Sequence, residues 1–252
     1  MYLRYTASGF LVIYPEDNCR TIVNAMLMTD YNQEFCIALD FSPEFVARLM
    51  EAGFLVMSAN VGGDGEEPEY ILLPKLHLTR SALFFKNLHI KKSIRRLLNR
   101  ARGDANSYEL RPNADFEFII DRCVEIHGED WLTPPLVTCI KKIRENFTAP
   151  CSVPSGKLIP SANVRPVSFA LYRGEKLVAG EFGVVCGRVY TSYSGYYDED
   201  NAGTIQIILA ARYLQEQGFS FFDMGMPLDY KTDLGATDIS PWEFVRLFRG
   251  EA

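Results

Sequence analysis

Phe221, Phe222 and Asp223 close an apolar run on a lone carboxylate, and a polar, glycine-containing loop follows, from Met224 to Ala236. A carboxylate at the end of a buried strand is placed to hold or accept a proton, so Asp223 is where chemistry is expected. The second concentration of reactive types is Lys86 to Arg102, which carries seven Lys or Arg residues and no acid. Ile90, Ile94, Leu97 and Leu98 fall there at helical spacing and turn inward, leaving Lys91, Lys92, Arg95 and Arg96 on the exposed side. A charged run is often only a solvated face. Here no carboxylate at i+4 relieves the repulsion, so a polyanion such as nucleic-acid phosphate is the alternative partner. Trp131, at the mouth of a helix, suits either core packing or stacking on a base.

Other chemistries find little support. The six cysteines form no Cys-x-x-Cys pair, and with only His77, His89 and His127 present no zinc-ligand spacing occurs. The thiols are expected to be reduced and mostly buried, and a Cys-His nucleophilic pair would need an accident of folding. Gly62 to Pro68 has no following Gly-Lys-Ser/Thr, and its acids would repel phosphate, so it reads as a surface loop. At 252 residues, 48% hydrophobic and 23% charged, the chain can bury a full core. The net charge of −6 argues against general affinity for nucleic acid and hides the local basic patch. No apolar run approaches the roughly 20 residues of a membrane span, and the first residues lack a signal-peptide core, so a cytoplasmic protein with no membrane partner is expected.

The elements that must position these groups alternate along the chain. Gly9 to Tyr14 reads as a strand; helices begin near Asp17 or Asn18 and at Ser42-Pro43-Glu44, the latter closed by Gly53. Glu69 to Leu78 looks extended. Ala114 to His127 reads as an amphipathic helix, and Glu129 to Pro135 starts another that runs to about Glu145. Thr148 to Arg165, rich in Pro and Ser, reads as a surface loop or insertion. Pro166 to Tyr172 and Lys176 to Val185 form a hairpin about Arg173-Gly174-Glu175. Val189 to Tyr193 adds a strand, Ala202 to Gln217 a helix ended by Gly218, and Phe219 to Asp223 the last strand. Three antiparallel strands, a crossover helix and a further strand suggest an α+β fold of the acetyltransferase-like (GNAT-like) kind.

Set in order, these residues resemble the leucyl/phenylalanyl-tRNA–protein transferases. The resemblance runs through Phe41-Ser42-Pro43, Leu88-His89-Ile90 with Ser93 and Arg96, Trp131 with Thr133, Ser168, Leu177-Val178-Ala179-Gly180, Gly183-Val184, Asn201-Ala202, and Asp223 with Leu234-Gly235-Ala236. It implies a small N-terminal domain, residues 1–85, and an acetyltransferase-like catalytic domain, residues 86–252. The activity implied is transfer of an amino acid from charged tRNA to a protein N-terminus in the N-degron pathway, with no metal or organic cofactor. The partners are then aminoacyl-tRNA and a protein or peptide N-terminus. The resemblance makes Asp223 one of a catalytic pair whose other member, a Gln, is Gly225 in this chain; a backbone carbonyl, a water or the ester's neighbouring ribose hydroxyl would then take the proton.

The side-chain pocket implied for the aminoacyl group comprises Glu181, Tyr193, Gly195, Ile207, Ala210, Leu214 and Phe222, with Glu181 standing where the family has an apolar Met. An ionised Glu among apolar residues calls for a partner, which makes arginyl or lysyl donors an expectation beside leucyl ones; a Glu181 that reaches solvent is the other reading. The tRNA contacts implied are Arg80, Lys91, Lys92, Arg95, Arg96 and Trp131. Two alternatives stay open. One is an acetyl-CoA-dependent N-acetyltransferase, for which Asp200 to Thr204 offers one glycine among acids; the other is an inactive relative that binds tRNA or N-termini.

Overall fold

In the computed structural model, residues 3–29, 31–63, 65, 67–100, 107–147, 158 and 161–251 are described. Arg102, Cys151 and most of the Pro/Ser-rich stretch lie outside them. The N-terminal part holds β1 (Arg4–Tyr5), β2 (Leu11–Val12), α1 (Cys19–Met28), α2 (Pro43–Ala52), β3 (Leu55–Asn60), β4 (Tyr70–Lys75) and β5 (Arg80–Leu83). Then come α3 (Lys92–Arg100), β6 (Tyr108–Pro112), α4 (Phe116–His127), α5 (Pro134–Phe147), β7 (Ser161–Arg173), β8 (Lys176–Gly187) and β9 (Val189–Tyr197). The chain ends with α6 (Ala202–Glu216), β10 (Phe221–Asp223), α7 (Asp229–Asp233), β11 (Thr237–Ile239) and α8 (Pro241–Phe248).

The helix termini follow their capping chemistry. Asn18 accepts from the Thr21 N–H at α1, Pro43 opens α2, and Gly53 closes it at φ +106°, a conformation costly for any residue with a Cβ. Two small antiparallel pairs, β1 with β2 and β3 with β4, accompany a seven-stranded sheet in the order β11-β5-β10-β9-β8-β7-β6. Only β9 and β10 run parallel, joined by α6; the other neighbours are antiparallel. This is the α+β, acetyltransferase-like arrangement read from the sequence. Strand β5 lies inside the sheet, between β10 and β11.

Alternation along the strands divides the core. Phe182, Val184, Val189 and Phe221 pack on one face with α4, α5 and the N-terminal helices; Val185, Tyr190 and Phe222 pack on the other with α6. Several boundaries differ from the sequence reading. The first strand contracts to Leu11–Val12, and residues 161–165, taken as loop, extend β7 along β8. The segment after Asp223 contains α7, where a continuous loop is expected.

Candidate active site

A three-residue strand opens the cleft. β10 pairs with β9 only at Val189, Tyr190 and Thr191, whereas β9 runs on to Tyr197 along β8 alone. A bulge at Tyr193 falls between the pairs Phe182↔Ser194 and Gly183↔Ser192 and bends the strand at this point. The chain leaving Asp223 therefore diverges from β9, and two hollows lie along the gap.

Asp223 sits at its base, fully buried and with every acceptor direction used. Oδ1 accepts from Arg80 Nε at 2.9 Å and the Gly225 N–H at 3.1 Å; Oδ2 accepts from Arg80 Nη2 at 2.6 Å and Thr191 Oγ1 at 2.8 Å. Arg80 is 2% exposed, rests on the Phe244 ring and donates to the Gly53 carbonyl. The expectation that Arg80 meets tRNA phosphate is corrected here: its guanidinium is spent on Asp223. These four hydrogen bonds fill the acceptor directions of Asp223, one of them tying the Gly225 N–H to the strand end. Gly225 is at φ +73°, its N–H on Asp223 and its carbonyl accepting from the Ser81 N–H at 2.7 Å, so that carbonyl too is engaged.

The first hollow, of about 490 Å³, is acidic. Glu181, Gly195 and Ile207 line it with Ser192, Asp200 and Tyr230. Glu181 is 4% exposed and accepts from the Tyr190 hydroxyl at 2.7 Å. Burial pushes its carboxyl up to about 7 against the lowering effect of the Tyr190 and Ser192 hydroxyls. It does not reach solvent along the sheet surface, which removes the snorkelling alternative. Ala210, Leu214 and Phe222, expected in this pocket, are fully buried core residues beneath it and line neither hollow.

The second hollow, of about 430 Å³, is basic. Tyr193, Gly195, Gly225 and Trp131 line it with Lys75, His77, His127 and Lys231, and no carboxylate among the described residues does. Ser192, Gly195 and Tyr230 border both hollows. Lys231 is 6% exposed, and its ammonium donates to the Met224 and Met226 carbonyls on either side of Gly225. Burial pulls its pKa down to about 8, opposed by the fields of Asp223 and Glu181. His77 is buried beside Arg80, and desolvation with that neighbouring charge drops it to about 2, so the ring is neutral. The Tyr193 hydroxyl accepts from the Val56 N–H at 3.1 Å and ties β3 to β9. Burial raises its pKa well above the ordinary tyrosine value.

The basic helix lies at the far end of the acidic hollow. Lys92, Arg95 and Arg96 are exposed along α3. Lys91, read as unpaired, instead meets Asp233 at 2.6 Å, a partner 142 residues away that local spacing could not show. A smaller cleft of about 170 Å³, lined by His89, Lys91, Asn201, Thr204, Tyr230 and Asp233, lies between α3 and the acidic hollow. Two motifs that looked independent in sequence also touch. The His89 N–H donates to the Leu234 carbonyl at 2.9 Å, and Gly235, at φ +94°, passes so close to the Asn87 carbonyl that a Cβ would collide with it.

The same stretch of chain is shared with known proteins. The sequence profile of the family described as leucyl/phenylalanyl-tRNA protein transferase matches residues 82–249. The chain belongs to that family. Among relatives carrying the name leucyl/phenylalanyl-tRNA–protein transferase, the one from Pseudomonas putida (strain W619) is 29% identical over 169 residues, 66% of this chain and 65% of that protein. The one from Flavobacterium johnsoniae is 24% identical over 176 residues, 68% of this chain and 73% of that one. The chain thus spans just under two thirds of the length of the Pseudomonas relatives. Among solved structures, L-PGS from Bacillus licheniformis overlaps 98% of this chain and 88% of its own at 13% identity and a TM-score of 0.40.

Within this family member, Lys231 is the site residue that sequence reading missed. It lies in a stretch that reads as a polar loop, where a lysine is taken as solvated. The available signal was its i,i+3 spacing with Leu234, which turns both inward once the segment is helical. The five described cysteines are buried and free, and burial pushes Cys36, Cys123, Cys139 and Cys186 up to about 12, which removes them as nucleophiles at neutral pH. No helix among the described residues is long and apolar enough to cross a membrane.

Proposed function

We propose that this chain is an aminoacyl-tRNA–protein transferase that moves an amino acid from charged tRNA to the α-amine of a polypeptide, a change of N-terminus of the kind that marks proteins for degradation. The observation that carries the reading is the family match across residues 82–249, a span that includes α3, Glu181, Asp223 and Lys231. The α-nitrogen bonds to the ester carbonyl carbon as the bond from that carbon to the ribose oxygen breaks. The proton lost by nitrogen ends on the leaving ribose oxygen.

The Gly225, Met224 and Met226 carbonyls are engaged by Ser81 and Lys231, which favours the neighbouring ribose hydroxyl as the group that relays that proton. The role of Asp223 is to hold the loop in register through the Gly225 N–H while its own charge is cancelled by Arg80. Lys92, Arg95 and Arg96 suit the acceptor stem, and the cleft between α3 and the acidic hollow suits its aminoacylated end. Glu181 and Asp200 in that hollow support a cationic donor, arginyl or lysyl, over leucyl or phenylalanyl. The acids Asp198, Glu199 and Asp200 immediately ahead of α6 disfavour a coenzyme A pyrophosphate there.

Incubation with separately charged arginyl-, lysyl-, leucyl- and phenylalanyl-tRNA and a panel of peptides tests this. Transfer led by a cationic donor is expected. Transfer led by leucine would keep the transferase reading and reject the cationic donor, and tRNA binding without transfer from any donor would leave an inactive relative.

A further inference from the structure

We propose that the basic hollow seats the first residue of the acceptor polypeptide and selects an acidic one, Asp or Glu. The inference rests on the transferase reading above and names its acceptor class.

Lys231 carries it. The side chain is 6% exposed, and no carboxylate lies within ion-pair distance of its ammonium among the described residues. Two of its donors go to the Met224 and Met226 carbonyls. An ammonium has three, so one is left for a ligand. Asp223 and Glu181 favour its charge only through their fields, without a direct ion pair, and a bound carboxylate would add the charge-assisted hydrogen bond that they do not make.

The walls agree with a small carboxylate. Leu55, Met57, Leu228 and Trp131 supply apolar surface, and no Asp or Glu among the described residues lines the space. Lys75 adds positive charge, largely offset by Glu34 at 3.0 Å, while neutral His77 adds none. One buried point charge behind apolar walls fits a carboxylate on a short methylene stem. A tRNA phosphate, bulky and strongly hydrated, is better matched by the exposed cations of α3. An arginyl or lysyl N-terminus would set like charge against Lys231.

Position ties the hollow to the reaction. The two hollows share Ser192, Gly195 and Tyr230, so an amine held in one and an ester held in the other meet at that border. The positive surroundings also favour the neutral, nucleophilic form of the α-amine.

The test uses the whole chain with a complete set of aminoacylated tRNAs and peptides that differ only in the first residue: Asp, Asn, Glu, Gln, Arg and Ala. Asp and Glu peptides are expected to exceed their own amides by about ten- to a hundredfold in kcat/KM, the value of one charge-assisted hydrogen bond. Lys231→Met should close the gap between each acid and its amide; should that variant not fold, the acid-to-amide ratio of the unmodified protein decides alone. Transfer to Arg or Ala peptides with no preference for Asp over Asn overturns the proposal and spares the transferase reading.

Calorimetric binding of the same peptides separates the two failures. Tighter binding of Asp than Asn without transfer from any donor upholds acid selection and defeats the transferase reading, whereas equal binding without transfer defeats both. A Lys231→Met variant that weakens binding of uncharged tRNA and leaves the Asp-to-Asn ratio intact assigns the ammonium to phosphate and overturns the proposal.

Discussion

The hollow at Glu181 and the hollow at Lys231 share a border at Ser192, Gly195 and Tyr230, yet each buries one ionisable side chain of opposite sign. They are also built differently. Glu181 stands in the middle of a long strand, fixed by register with Phe169 and Gly195 and by the Tyr190 hydroxyl. Lys231 stands in a five-residue helix held in place by loop carbonyls and by the Asp223–Arg80 pair beneath them. A charge on rigid sheet keeps its position when the loop moves; a charge on the loop does not. The acidic side is therefore held by the sheet, and the basic side depends on the buried pair. On the proposed reading, opposite charges also divide the two substrates: a cation in the wrong hollow meets Lys231, an anion in the wrong one meets Glu181 and Asp200.

The largest predicted effect comes from removing the buried pair that supports the basic side. Asp223→Asn leaves the Arg80 guanidinium buried without a counter-charge and should cost about 3–5 kcal/mol in urea unfolding, with transfer abolished alongside. The double variant Arg80→Met/Asp223→Leu should recover much of that stability. A stable, fully active Asp223→Asn protein would sever the basic hollow from the pair.

The second prediction compares the hollows by pH. Glu181 titrates near 7 in the fold against 4.5 ordinarily, so the folded state binds more protons between those values and loses stability as pH rises through them. Its cost is fully present above about pH 7. Lys231 titrates near 8 against 10.5, so the unfolded state binds more protons in that window and stability rises with pH across it. Its cost is fully present below about pH 8. Each amounts to roughly 3 kcal/mol at its limit. Denaturant titrations should show Glu181→Gln stabilising at pH 8 and near neutral at pH 4.5, and Lys231→Met losing its advantage as pH rises to 10.5. Parallel pH curves for the two variants would refute the contrast.

A smaller change is expected from Glu181→Met. Competition between arginyl- and leucyl-tRNA for one acceptor should swing from a cationic preference toward leucine by about ten- to a hundredfold. An unmodified protein that already prefers leucine would leave the acidic hollow with another occupant.

The smallest effect belongs to α3. Neutralising Lys92, Arg95 and Arg96 should flatten the dependence of tRNA affinity on log salt by about 0.9 for each duplex phosphate that the helix no longer neutralises. Lys91→Ala should do less, since its charge is already shared with Asp233. An unchanged slope in the triple variant would remove α3 from the tRNA path.

Local chemistry wrote much of the fold into the sequence. Ser42-Pro43 and Gly53 bound α2, period-3.6 apolar spacing marks α4, and the order of strand, strand, helix, strand near the end yields the parallel β9-α6-β10 unit, because capping and hydrophobic periodicity act over a few residues. The sequence also singled out Asp223, Glu181 and Gly225 as positions of interest. It could not say what they face. Arg80 reaches Asp223 across 143 residues and Lys91 reaches Asp233 across 142, so the availability of each charge was set by sheet pairing and loop packing rather than by its neighbours in the chain. Ala210, Leu214 and Phe222 share an apolar character with true pocket walls, and only their depth under the sheet separates core from lining. Lys231 shows the same limit most clearly: a lysine in a polar stretch is solvated by default, and what buries this one is a short helix seated by contacts with distant segments, Asp223 on the Gly225 N–H and Leu234 on the His89 N–H among them.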